Sequence, residues 1–102
     1  MKTAICVQKH LDGWQGHASL YHITPAASYK TLSRIFFRGW LLCKTTNYVI
    51  VSATEGPMGD ETFIFASDSL GNTKSMIEMN GSQRGTLSHE TVLLAAGYLL
   101  VV

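Results

Sequence analysis

Arg84, His89 and Glu90 form the most suggestive group of chemistry-bearing residues in this 102-residue chain. A Gly81-Ser82-Gln83-Arg84-Gly85 loop leading into a helix N-terminus offers backbone N–H groups, the Ser82 hydroxyl and a guanidinium to an anion. His89, in the first helical turn, can hydrogen-bond the same ligand or carry a proton. The pattern lacks the lysine of a P-loop, so it is a weak phosphate signature. A structural assignment competes with it: Arg84 pairs with Asp68 or Glu78 and fixes the long loop, while His89 helps to cap the helix.

A second group spans residues 29–44. Lys30, Arg34, Arg38 and Lys44 interleave there with Tyr29, Phe36, Phe37 and Trp40. Basic groups for phosphates and aromatic faces for bases suit single-stranded nucleic acid. In a chain of net charge +1 the plainer expectation is an amphipathic helix, aromatic side to the core and basic side to water. Exposed aromatics around Phe36, Arg38 and Trp40 would also suit a protein partner.

Other chemistry is poorly supplied. On an extended strand Cys6 and His10 lie about 13 Å apart, too far to share one ion with His17, so no metal site is expected. Neither Cys6 nor Cys43 has a base beside it in sequence. Ser88 before His89 reads as a helix cap, and Asp60-Glu61 as solvated turn residues. The expectation is a protein with no cofactor and no catalysis.

The elements that must position these residues are organised around Tyr48–Ala66. Two β-branched and aromatic arms flank Gly56-Pro57-Met58-Gly59, which predicts a hairpin apolar on both faces and central in a sheet. Asp12-Gly13 predicts an earlier two-residue hairpin. In that register Leu11 faces Trp14 and Ile5 faces Leu20. Ile5 and Val7 then point to the core, and Cys6, His17 and Tyr21 to solvent. Pro25 should end its second strand. Apolar residues at three- and four-residue spacing over 28–38, with Lys30, Arg34 and Arg38 every fourth residue, predict a helix; a strand over 34–44 is the rival reading. Met76–Met79 suggests a brief strand. Ser88 is a good N-cap and Gly97 a natural stop for a short buried helix, and Tyr98–Val102 reads as a last strand. The fold class is α+β: an antiparallel-dominated sheet of two hairpins and a C-terminal strand, with one or two short helices packed on it, in one domain over 1–102.

Tyr48–Ala53, Glu61–Phe65, Asp68, Gly71, Glu78, Gly81-Ser82, Arg84-Gly85, His89-Glu90 and Ala96-Gly97-Tyr98 occur in that order. With the opening Trp14-x-Gly16-x-Ala18-x-Leu20-Tyr21, this pattern resembles a group of small phage- and prophage-encoded proteins of no established activity. The likeness covers about residues 4–24 and 46–102, leaving 25–45 outside it. Position 77 is Ile where such proteins often have Trp. The resemblance implies an accessory role, in host takeover or counter-defence, and no mechanism.

Charged residues make up only 15% of the chain and hydrophobic ones 46%. Such a surface is expected to be partly covered, by a protein partner or a second copy. The near-neutral net charge gives no field to draw in nucleic acid or an anionic membrane. Two cysteines without CxxC spacing, and no apolar run near 18 residues, predict a reduced cytoplasmic protein. The leading expectation is a protein-binding accessory factor, with a homodimer as one form of that binding. The alternatives are a small-anion or nucleotide site, or a small enzyme, at Arg84, His89 and Ser82, and nucleic-acid binding through 29–44.

Overall fold

The structure, a computed structural model, describes residues 2–14, 16–33, 40–57 and 59–101. Its centre is the predicted hairpin. β3 (Trp40–Gly56) and β4 (Gly59–Ser67) pair antiparallel from Tyr48↔Ser67 to Gly56↔Gly59. Val49, Ile50 and Val51 are all fully buried, so β3 is covered on both faces. Among the described residues six strands form one sheet in the order β5-β4-β3-β2-β1-β6, with β1 (Thr3–Gln8), β2 (His17–Ser33), β5 (Gln83–Arg84) and β6 (Leu99–Val101). It curls into a half-barrel around the helix α1 (His89–Ala95).

The class is α+β, but the sheet is mixed. Thr3↔Leu99 and Ile5↔Val101 place β6 parallel to β1, against an expectation of antiparallel hairpins. The cause lies in α1, which returns the chain to the start of β1. Ser88 caps α1 by accepting from the Thr91 N–H at 3.1 Å. At the other end Gly97 takes φ +96° and donates to the Leu94 carbonyl, while the Tyr98 N–H reaches that of Leu93. This is a Schellman stop. Seven residues form too short a helix to stand alone, so burial of Val92 and Leu93 must supply its stability, about 1.5–3 kcal/mol for each side chain.

Two clusters lie on opposite faces of the sheet. Beneath α1, on the concave side, Ala4, Tyr21, Ile23, Val49, Val51, Ile64 and Met79 pack with the helix. On the convex side Leu11 and Trp14 fold back over Ala18, Leu20 and Ile50, with Trp14 5.5 Å from the Phe65 ring. The Leu11 N–H bonds the Ala18 carbonyl at 2.8 Å. Residues 9–14 therefore fold back over the sheet as a loop instead of forming the tight two-residue hairpin predicted at Asp12-Gly13.

That loop changes the first hairpin. Ile5 lies opposite His22, two residues from the expected register, and the ladder bulges at Val7. Ala4 and Cys6 face the helix, and Ile5 and Val7 point outward at 49% and 52% exposure, the reverse of the expected faces. Ala4 and Cys6 join Tyr21 and Ile23 in the cluster under α1.

The helix expected over 28–38 is contradicted up to residue 33. β2 runs to Ser33 and pairs with β3 through Tyr29↔Lys44 and Thr31↔Leu42; residues 34–39 lie outside the described set. Backbone pairing along the whole arm outweighs a local helical spacing of apolar residues. Pro25 does not end β2 either. It sits in a bulge between His22 and Ala27, where its missing N–H costs no ladder bond, and its carbonyl accepts from the Tyr98 hydroxyl at 2.7 Å. Residues 76–79 form no strand. The Met79 N–H bonds the Ile64 carbonyl at 2.7 Å and its side chain enters the core.

Candidate interaction surface

The loop holding Ser82 and Arg84 is tied to the rim of β4. The Ser82 hydroxyl accepts from the Ile64 N–H at 2.9 Å and donates to the Met79 carbonyl at 2.8 Å. Ser82 thus stands in for a strand residue where β4 has no neighbour. Gly81 makes this approach possible: at φ +102° its missing Cβ would lie 2.8 Å from the Val92 carbonyl oxygen and from the Ala96 Cβ. On β5, Arg84 lies opposite Glu61, and its Nε is 3.4 Å from the Glu61 carboxylate, so its partner is neither Asp68 nor Glu78. Asp68 instead accepts from the N–H groups of Leu70 and Asn72, chiefly Asn72, which hold its carboxyl below the usual range.

His89 turns inward. Its Nε2 lies 3.0 Å from the His17 carbonyl oxygen and its Nδ1 2.9 Å from the Tyr21 hydroxyl. A carbonyl only accepts, so this geometry assigns the proton to Nε2, and the Tyr21 hydroxyl then donates to Nδ1. Burial disfavours the charged ring and lowers the His89 pKa. Burial foremost, with the Cys6 thiol nearby, pushes the Tyr21 hydroxyl up to about 12. The pair is a neutral clamp between α1 and β2. None of the four described clefts is lined by either Arg84 or His89.

The convex face carries a different feature. Register places Val101, Ile5, His22 and Tyr48 in one row across β6, β1, β2 and β3. His22 and Tyr48 stack with ring centroids 4.9 Å apart. Leu99 and Val101 are 48% and 41% exposed beside the outward Ile5 and Val7. The row ends at an open edge, for among the described residues β6 pairs on one side only. The Leu99 N–H bonds the Lys2 carbonyl, so strand alternation turns the N–H and C=O of Leu100 away from β1. Sequence reasoning missed this surface because the expected register put Ile5 and Val7 in the core. The alternation of Ile5 with Val7 and of Leu99 with Val101 was its only signal.

Of the remaining sequence candidates, Phe36 and Arg38 lie outside the described residues, and Trp40 opens β3 opposite Ser33. Cys6 and Cys43 are both free thiols. His10 and His17 stack edge-on at 6.0 Å, and no group of three or more metal-binding side chains forms among the described residues. No described helix is long and apolar enough to cross a membrane. Comparison with protein-family models, with curated proteins and with solved structures finds no match to this chain.

Proposed function

We propose that this protein acts by binding another protein, without catalysis, through the Val101–Ile5–His22–Tyr48 row and the open edge of β6. The observation that carries this reading is the run of half-exposed apolar side chains, Ile5, Val7, Leu99 and Val101, ending at a strand whose outer edge has no partner among the described residues. A strand added there meets the outward N–H and C=O of Leu100 and lays alternate side chains beside Leu99 and Val101, with Ile5 next in the row. Covering each of these half-exposed side chains is worth about 1 kcal/mol.

Two features support it. Charge is scarce over the whole chain. Ser82 and His89 spend their polar atoms on bonds within the protein, and Arg84 reaches out beside Glu61, away from His89 on α1, which leaves the anion-site alternative without a converging pair. An open strand edge can also pair with its own copy, so a second copy belongs among the proteins that fit it. The resemblance read from the sequence makes the foreign partner a host protein, bound in host takeover or counter-defence.

Capture from a cell lysate tests the reading with paired variants. Leu70→Asp changes a side chain 79% exposed in a distant loop and should capture what the wild type captures. Ile5→Asp should capture nothing and sediment as a monomer. Ile5→Asp that keeps the wild-type catch and the wild-type mass would refute the proposal.

A further inference from the structure

The concave face of the half-barrel has two covers, which touch where Gly81 lies against Val92 and Ala96 and part toward Lys2 and Ser28. Helix α1 lies over one part, with Leu93 on the sheet. The segment 75–80 lies over another, anchored where the Ser75 hydroxyl donates to the Lys30 carbonyl and the Met79 N–H to that of Ile64. Between them opens a cavity of about 250 Å³. Its floor is the sheet interior and the helix: Ile23, Val49 and Leu93. Its mouth is polar, with Lys2, Ser28 and Asn80. Lys2 is the one charged residue among those lining it, and its Nζ stands 5.9 Å from the centre of the Tyr98 ring at the same opening.

We propose that this cavity binds a small amphipathic anion, a carboxylate on a short alkyl chain. An apolar floor calls for an alkyl body, because burying CH₂ groups there removes them from water at about 0.8 kcal/mol each. A mouth with one ammonium and two neutral polar groups calls for a single negative head. At about 30 Å³ for each water-sized group, the volume holds roughly eight non-hydrogen atoms. Hexanoate has that size. Half-barrel mouths and gaps between packed elements are common places for small-ligand sites. The cavity lies on the face opposite the Ile5–Val101 row, so the site is independent of the protein-binding surface.

Titration of the ¹⁵N-labelled full chain with hexanoate, followed by amide shifts, tests the site. Hexan-1-ol and hexylamine serve as matched neutral and cationic probes. Hexanoate should shift the amides of Ala27, Asn80 and Ala96 in a saturable way, hexan-1-ol more weakly, and hexylamine not at all. Lys2→Gln should weaken hexanoate about fivefold, the scale of one exposed charge contact, and leave hexan-1-ol unchanged. Ala27→Phe, at the mouth, should block both ligands while its spectrum stays dispersed. Should Ala27→Phe unfold the chain, the Lys2→Gln comparison still decides. Equal binding of the three probes, shifts confined to another surface, no saturable shift, or an unchanged hexanoate affinity in Lys2→Gln would each overturn the proposal.

Discussion

Acid should loosen the clamp between α1 and β2. His89 is neutral in the fold, its Nδ1 accepting from Tyr21 and its Nε2 donating to the His17 carbonyl. Burial disfavours the cation, so the folded pKa lies below the ordinary histidine value of about 6.5. Between that lowered value and about 6.5 the unfolded chain binds the extra proton and the folded chain does not, so stability rises with pH in this window. The contribution is complete above about pH 6.5 and is lost as pH falls through the folded pKa. The slope has a ceiling of about 1.4 kcal/mol per pH unit, and solvent screening at this partly exposed ring brings it lower. Urea midpoints measured from about pH 8 to about pH 5 should show the fall in the wild type. His89→Gln should start about 1–3 kcal/mol less stable, because the Tyr21 hydroxyl loses its acceptor, and its gap to the wild type should narrow in acid. A wild-type midpoint that holds steady or rises as pH falls through this window, or an identical slope in His89→Gln, would refute the reasoning.

Three more variants probe the loop at the rim of β4. Arg84→Ala should cost about 0–1 kcal/mol in urea unfolding, since the guanidinium is 81% exposed and its pair with Glu61 is screened. Ser82→Ala should cost more, about 1–3 kcal/mol, because the Ile64 N–H loses its acceptor; a melting temperature equal to that of the wild type would show water taking the hydroxyl's place. Gly81→Ala combines a left-handed backbone with a Cβ pressed onto α1, and should lower stability by about 1–3 kcal/mol or more by the same measurement.

What the sequence discloses follows the range of the interactions involved. The central hairpin and α1 were legible because local chemistry specifies them: Gly56 to Gly59 between β-branched arms, Ser88 and Gly97 at the helix ends. The β2–β3 arm was not, because the apolar residues of 28–38 also fit a helical spacing and only pairing with Leu42 to Lys44 decides. The parallel docking of β6 on β1 joins the two ends of the chain, beyond the reach of any window. Of the candidate site, Arg84, Ser82 and His89 were visible as residue types, but their partners Glu61, Ile64 and Tyr21 lie far away in sequence. The Ile5–Val101 surface was read inside out. Alternating Ile and Val in a strand normally mark a core face, and here the face under α1 is taken by Ala4 and Cys6.

The central claim is that a protein partner closes the sheet at β6, and hydrogen exchange at the Leu100 amide tests it most directly. In the free protein this N–H points away from β1 and should exchange fast, while Leu99, bonded to the Lys2 carbonyl, exchanges more slowly. In the complex with whatever protein the wild type captures, or in the dimer if that is a second copy, the Leu100 amide should become protected, while those of Leu99 and Val101, which face β1, change little. Protection confined to the helix, or to the β2–β3 arm, with Leu100 still exchanging at its free rate, would contradict the account.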